Sequence, residues 1–309
     1  IAVGLGQDCN EGFTAINGEC YYQSDLDVLQ QFIDNSQEGE NPPSSDLSPI
    51  ELGEQVWEEG RLVEFLCTTY YPSYLDYELS GGIPSEIENL DNLTYLKIVG
   101  NELGGEIPAE IGNLTNLNYL HLGLNSLNGE IPSEIGNLTN LDDLNLGVND
   151  LNGEIPLEIA GMINLHTLLL YSNDLTGQIP SEIGNMEGLW HLDVRDNNLT
   201  GEIPSEIGNL DLVGLWLQEN QLNGEIPQQI GQLQYLGSLW LNDNHLSGEV
   251  PSEIGSLLSL TSLRLNNNEL SGLIPDSICE LSLELSSEYL GSGSQYSNIS
   301  YIYGNQLCP

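Results

Sequence analysis

A fixed period of 24 residues constrains this chain more than any other feature of its sequence. From Leu93 the chain repeats LxxLxLxxNxLxGxIPxxIGNL, with units beginning at Leu93, Leu117, Leu141, Leu165 and Leu189. The next unit begins at Leu212, one residue early, and Leu236 and Leu260 restore the spacing of 24. With an irregular first unit from Leu62 to Pro84, the repeats number nine. Such a period predicts a solenoid of stacked coils instead of several globular domains.

Each repeat contains the residues that form one coil: a strand, a turn and a return segment. LxxLxL alternates with period two, so Leu120 and Leu122 are expected to point inward and His121 outward, as in a half-buried strand. Strands of successive units then pair as a parallel sheet. The Asn side chain of each unit is expected to satisfy backbone groups where the strand turns away, while Gly and Pro direct the return segment. These residues are Asn101, Asn125, Asn149, Asn173, Asn197, Asn220, Asn244 and Asn268.

The repeat motif resembles the plant-specific class of leucine-rich repeats found in receptor-kinase ectodomains and polygalacturonase-inhibiting proteins, with similar secreted proteins in bacteria. The resemblance covers roughly Leu62 to Cys279. It implies an α/β-type solenoid, a right-handed superhelix with a parallel sheet on the concave face and irregular or 3-10 return segments. It also implies recognition of a protein, peptide or glycan on the concave strand face.

The sequence divides into two predicted caps and a solenoid. Residues 1–61 form the N-terminal cap, with one short amphipathic helix from Ser24 to Ile33 that begins on a hydroxyl cap. Trp57 is expected to pack between that helix and the first strand. Residues 62–278 form the solenoid and residues 279–309 the C-terminal cap. The segment from Thr68 to Leu79 is longer than its counterparts and is expected to bulge outward, carrying Tyr70, Tyr71, Tyr74 and Tyr77.

The cysteines indicate an oxidising compartment. Five cysteines allow several connectivities, of which two terminal bridges, one within each cap, are the simplest. The fifth, Cys67, occupies an inward strand position and is predicted to be a buried thiol, with an intermolecular disulfide as the alternative. We therefore predict a secreted or cell-surface protein. The proposed bridges are Cys9–Cys20 and Cys279–Cys308.

The charge balance excludes several classes of partner. Four Lys and Arg residues against 47 Asp and Glu give a formal charge of −43, a field that repels nucleic acid and anionic lipid. No apolar stretch reaches the length of a membrane span, so no membrane insertion is expected. Two acidic columns on the return path are interpreted as a solvated face, with weak divalent-cation binding as the alternative. They comprise Glu106, Glu130, Glu154, Glu202, Glu225 and Glu249, and Glu86, Glu110, Glu134, Glu158, Glu182, Glu206 and Glu253.

Outward strand positions have no core role, so unusual residues there suggest a binding surface. Aromatic and Arg side chains are typical of interaction hot spots. We expect Trp216 and Trp240, one coil apart, to form a continuous exposed indole platform. The alternative is that Arg195 merely pairs with Asp193 or Asp196 and that His121 and His191 are solvated. The candidate residues are Tyr95, Lys97, Tyr119, His121, Tyr171, Trp190, His191, Asp193, Arg195, Trp216, Trp240 and Arg264.

The favoured function is a non-enzymatic extracellular recognition or adhesion module. His191, Asp193 and Arg195 share a strand face, but no activated nucleophile or metal motif accompanies them, and no cofactor is predicted. A second hypothesis is a self-assembling fibre subunit, suggested by the apolar N-terminus, Cys67, the Tyr-rich bulge and the tail from Ser286 to Tyr303. A third is ice binding by a flat repeat face, which the lack of a regular Thr ladder disfavours.

Overall fold

The computed structural model describes residues 9–69 and 75–281, which divide into two compact units at residue 151. No helix in the described residues is long and apolar enough to cross a membrane. The elements are β1 Phe13–Ile16, β2 Glu19–Tyr22, α1 Gln23–Asn35, β3 Glu54–Glu58, β4 Arg61–Thr68, β5 Ser80–Gly81, β6 Tyr95–Val99, β7 Glu102–Glu106, β8 Tyr119–His121, β9 Ser126–Glu130, β10 Asp143–Asn145, β11 Asp150–Asn152, β12 Thr167–Leu169, β13 His191–Asp193, β14 Thr200–Glu202, β15 Gly214–Trp216, β16 Gln221–Asn223, β17 Ser238–Trp240, β18 Ser262–Arg264 and α2 Asp276–Cys279.

Unit one, which ends at residue 151, combines the N-terminal cap with the first coils. β1 and β2 form an antiparallel hairpin, and β3 pairs antiparallel with β4. From β4 onward the main sheet is parallel, in the order β4, β6, β8, β10. A second parallel sheet of β5, β7 and β9 lies on the return path. The period-two pattern of the sequence therefore builds the predicted parallel sheet.

The cap helix α1 has the predicted amphipathic pattern, but its start differs. Its apolar side chains, such as Leu29 and Phe32, are fully buried. The helix begins at Gln23 and has no side-chain cap, so the hydroxyl cap expected at Ser24 is wrong. Asp25 is instead fully buried and accepts hydrogen bonds from the Arg61 guanidinium and from Leu62 N, the latter at 2.8 Å. Asp25, in the first turn, thus links α1 to β4 through these hydrogen bonds.

Trp57 of the cap and Tyr77 of the predicted bulge also differ from expectation. Trp57 lies in β3, half-buried, with its ring edge-on to Tyr21 at a centroid distance of 4.9 Å, so it packs on the β1–β2 hairpin and not between α1 and the first strand. Tyr77 is half-buried and its hydroxyl accepts a hydrogen bond from Gly53 N at 2.7 Å. Tyr70, Tyr71 and Tyr74 lie outside the described residues.

Unit two, from residue 152, contains the remaining coils. Its main sheet is parallel in the order β12, β13, β15, β17, β18, and β14 pairs with β16 on the return path. The residue missing before Leu212 leaves the register intact, because Leu192, Leu215 and Leu239 remain partners.

Short 3-10 segments occupy the return path of both units, as the resemblance implies. Each one that follows an Ile-Pro or Val-Pro step begins directly after that proline, whose fixed φ suits entry to a turn. Two further segments lie in the N-terminal cap. The segments are Ser36–Glu38, Pro49–Glu51, Ser85–Asn89, Ala109–Asn113, Ser133–Asn137, Leu157–Gly161, Ser181–Asn185, Ser205–Asn209, Gln228–Gln232 and Ser252–Ser256.

Inward Leu residues and the Asn column fill the coils as predicted. Leu120, Leu122, Leu215 and Leu217 are fully buried. The Asn220 amide donates to Val194 O of the preceding coil at 3.0 Å and to Leu217 O at 3.2 Å, and its Oδ1 accepts from Leu199 N at 3.0 Å. One buried side chain therefore satisfies backbone groups of two successive coils.

The described cysteines include one disulfide and one buried thiol, as predicted. Cys9 and Cys20 form a disulfide. Cys67 is a free, fully buried thiol, and burial raises its pKa to about 12, so it is not available for an intermolecular bridge. Cys308 of the predicted Cys279–Cys308 bridge and the Ser286 to Tyr303 tail lie outside the described residues.

Candidate binding face

Outward side chains of unit two form three columns across its main sheet, which we call the strand face. The first column is Thr167, His191, Gly214, Ser238 and Ser262. The second column consists of the last residue of each strand. Parallel pairing places Asp193 opposite Trp216, Trp216 opposite Trp240 and Trp240 opposite Arg264. The third column, two residues beyond the second, is Tyr171, Arg195, Gln218, Asn242 and Asn266.

The two indoles meet edge to face. Trp216 and Trp240 have a centroid distance of 6.4 Å and an interplanar angle of 87°, and both are half-buried. The expected continuous, exposed indole platform is therefore wrong. His191 instead stacks on Trp216 at 5.9 Å and 15°. Gly214 makes this possible, because a Cβ at that position would overlap the Trp216 ring.

Arg264 and Ser262 hold Trp240 in place. The Arg264 guanidinium lies 3.6 Å from the centroid of the Trp240 ring, within cation–π range. The Trp240 indole N–H donates to Ser262 Oγ at 2.8 Å. This side of the strand face is therefore a pre-positioned aromatic and cationic surface.

Asp193 and Arg195 form a pair on the neighbouring coil. Arg195 Nη1 lies 3.3 Å from Asp193 Oδ2, and Arg195 N donates to Asp193 Oδ1 at 3.2 Å. The guanidinium also lies 4.6 Å from the Tyr171 ring. Burial raises the pKa of Asp193 to about 6, against the lowering effect of Arg195. Arg195 therefore pairs with Asp193, as the alternative interpretation held, while still contributing to an aromatic surface.

Two residues of the strand face were not among the predicted site residues. Gln218 and Asn242 are buried, and Gln218 Oε1 and Asn242 Oδ1 have no hydrogen-bond partner in the described structure. Buried acceptors are normally paired. Each lies two residues after a tryptophan and so on the same side of the chain, which is the one signal in the sequence that could have identified them.

An open pocket of about 520 Å³ lies on the strand face. Trp190 is not part of its lining; it is half-exposed and packs on His166 at 4.2 Å. Arg264 lies at its edge, on Trp240. The lining includes Tyr171, His191, Asp193, Arg195, Trp216 and Trp240.

The remaining candidates lie together in unit one. Tyr95 and Tyr119 pack at a centroid distance of 5.1 Å, and Lys97 is the register partner of His121. His121 Nε2 lies 2.9 Å from Asp143 Oδ1, a contact that the sequence pattern does not predict. In the described residues no three His, Cys, Asp or Glu side chains are grouped as metal ligands would be.

Comparisons with known proteins identify the family. A family model described as Leucine Rich Repeat matches residues 92–114, 116–138, 164–186, 188–210, 235–257 and 259–281. A plant ice-binding protein of known structure is 30% identical, with a TM-score of 0.67, over 85% of this chain and 83% of that one. This chain belongs to the leucine-rich-repeat family. No curated protein matches it by sequence.

Other leucine-rich-repeat structures are also similar. The ectodomain of the Arabidopsis thaliana receptor kinase GASSHO1/SCHENGEN3, in complex with CASPARIAN STRIP INTEGRITY FACTOR 2, is 36% identical with a TM-score of 0.76. The match covers 85% of this chain, which spans about a third (32%) of that ectodomain. The bacterial protein LIC12759 of Leptospira interrogans is 31% identical with a TM-score of 0.59, over 83% of this chain and 61% of that one.

Proposed function

We propose that this leucine-rich-repeat chain is an extracellular recognition module that binds a protein or peptide on the strand face of unit two. The observation that carries the proposal is the pocket between Tyr171 and Trp240, where aromatic and guanidinium groups are already fixed by their neighbours. Pre-positioned aromatic and Arg side chains lose little conformational entropy on binding, which is why they dominate interfaces.

A further observation supports a protein or peptide ligand. The related plant ectodomains include complexes whose ligands are peptide hormones, among them RGF2 and IDA. A glycan, which would stack on the indoles, is the alternative ligand.

Ligand capture followed by affinity measurement tests the proposal. The protein is used to isolate a ligand from its own surroundings, and affinity is measured for a Trp216→Ala/Trp240→Ala variant. We expect a loss of more than about tenfold with folding retained, because neither indole belongs to the core. The matched control is Glu202→Gln/Glu225→Gln on the return path, which removes two charges and keeps the affinity. Full binding by the tryptophan variant would place the ligand elsewhere.

Ice binding is a second candidate, favoured by the length match to the plant ice-binding protein. Unit two carries a regular column of small polar side chains on its return path: Asn152, Thr176, Thr200, Asn223, Ser247 and Ser271. Acidic side chains two residues later share that face, for example Glu202 after Thr200. Thermal-hysteresis measurements distinguish the candidates, since ice binding is lost in Thr176→Lys/Thr200→Lys and kept in the tryptophan variant.

The fibre hypothesis has less support. Cys67 is buried, so it cannot link subunits. Its other grounds are the tail, the apolar N-terminus and the Tyr-rich bulge. The tail, the N-terminus and Tyr70, Tyr71 and Tyr74 of the bulge lie outside the described residues. Electron microscopy at native salt tests the fibre hypothesis. Regular filaments would support it, and single particles would contradict it.

A further inference from the structure

The N-terminal cap contains an open pocket of about 560 Å³, far along the chain from the strand face residues. Three aromatic rings line it: Phe13 of β1, Tyr21 of β2 and Trp57 of β3. The Tyr21 and Trp57 rings are nearly perpendicular, at 81° with centroids 4.9 Å apart, and so form a corner. We call this site the cap pocket.

The rings of the cap pocket are held by local structure. The Trp57 indole N–H already donates to Gln55 Oε1 at 2.9 Å, so the ring surface is what it offers a ligand. Gly60 lies so close to Phe13 that a Cβ there would come within 2.7 Å of the Phe13 ring. The Cys9–Cys20 disulfide joins two other lining residues.

The cap pocket also has negative charge at its margin. Glu19 and Glu59 both line it and are exposed. Aromatic faces and carboxylates together favour a cation, because the ring quadrupole presents its negative face. The same cap already contains one cation–π contact, because the Arg61 guanidinium lies 4.3 Å from the centroid of the Tyr22 ring.

None of the Lys and Arg side chains lines the cap pocket. The chain has four such residues. Arg61 is held by Asp25, Asp91 and the Tyr22 ring. Arg195 pairs with Asp193. Arg264 lies on Trp240, and Lys97 lies in β6. A cation bound in the cap pocket is therefore not one of these four side chains.

We propose that the cap pocket binds a small quaternary-ammonium solute with an uncharged tail, such as choline. A quaternary ammonium is weakly hydrated and presents methyl groups to the rings, so it enters an aromatic corner at lower desolvation cost than a primary ammonium. Glu19 and Glu59 disfavour a solute that carries its own carboxylate, such as glycine betaine. The volume is in the range of small-molecule sites.

Isothermal titration of the intact protein with choline tests this inference. The neutral isostere 3,3-dimethylbutan-1-ol has the same shape without the charge, and we expect it to bind about tenfold more weakly. We expect Trp57→Leu to weaken choline binding about tenfold and Glu59→Gln about threefold. Trp190→Leu, at an exposed tryptophan outside the cap, is the matched control and keeps the affinity.

Specific outcomes overturn the inference. Equal affinity for choline and its neutral isostere removes the role of charge, and unchanged binding by both Trp57→Leu and Glu59→Gln places the site elsewhere. Because Trp57→Leu risks disturbing the cap, Glu59→Gln supplies the decisive variant if the former misfolds. Binding to phosphatidylcholine vesicles or to a trimethyllysine peptide, without binding of free choline, contradicts a small-solute site.

Discussion

At the residue scale, the residue directly before the column Asn has positive φ in each coil from Asn101 to Asn268. This position is Gly100 in one coil and Asn267 in another, both suited to that conformation. Val148 holds it at φ 59°, although a β-branched side chain is strongly disfavoured there. The half-buried Val148 side chain therefore stores backbone strain that the repeat does not require.

We predict that Val148→Asn raises the free energy of unfolding by about 1 kcal/mol, because Asn tolerates the left-handed region. The matched change in the opposite sense, Asn267→Val, should lower it by a similar amount. Urea denaturation of both variants checks the pair. A destabilised Val148→Asn protein would show that packing of the valine outweighs its strain.

Asp193 gives a pH dependence of known sign. Its pKa in the folded protein is about 6, raised from 3.8 by burial. Between these values the folded state binds more protons than the unfolded state, so this group's contribution makes stability fall as pH rises from about 4 to 6. We predict that Asp193→Asn flattens this fall and stabilises the protein at pH 7 by on the order of 1–3 kcal/mol. Chemical denaturation at pH 4, 5, 6 and 7 measures it, and an unchanged slope in the variant contradicts the assignment.

The sequence pattern predicts which residues align across the sheet, but it does not predict how their side chains are oriented. Strand register follows from the period, so the order Asp193, Trp216, Trp240, Arg264 was predictable. Ring orientation was not, because it depends on local space such as that left by Gly214. The burial of Gln218 also depends on neighbouring side-chain conformations that a repeat pattern does not specify.

At the element scale, the Asn column joins one coil to the next. Asn220 makes hydrogen bonds to Val194, Leu199 and Leu217, all at buried positions. We predict that Asn220→Ala costs about 3 kcal/mol or more, since several buried backbone groups lose their partner. Asn223→Ala, exposed on the return strand, is the control and should cost less than about 0.5 kcal/mol. Equal losses in the two variants would contradict a structural role for the column.

Elements inside the repeat were predictable, and those of the cap only in part. The period defines strand and return segment in every coil, whereas α1 occurs once and has no repeat to define its start. Its first turn is stabilised by the buried Asp25–Arg61 contact between segments distant in sequence. The local sequence around Ser24 therefore does not reveal the contact that stabilises the start of the helix.

At the scale of the whole molecule, a charge of −43 makes stability depend on screening. We predict that the melting temperature falls by roughly 5 °C between 0.5 M and 5 mM NaCl, because repulsion between acidic columns is then unscreened. Sucrose at matched osmolality is the control for non-ionic effects. If MgCl₂ at equal ionic strength stabilises more than NaCl, the columns also bind divalent cations. A melting temperature independent of salt contradicts the prediction.

Hydroxyl-radical footprinting of the protein, with and without captured ligand, tests whether unit two binds its ligand on the strand face. Solvent reaches Tyr171, Trp216 and Trp240 in the free protein, since all three are half-buried and line the open pocket. We predict that bound ligand lowers the oxidation rate of these three side chains, while that of Tyr235, which is exposed and outside the pocket lining, is unchanged. Protection confined to Tyr235 or to the N-terminal cap, with Trp216 and Trp240 oxidised as before, would contradict it.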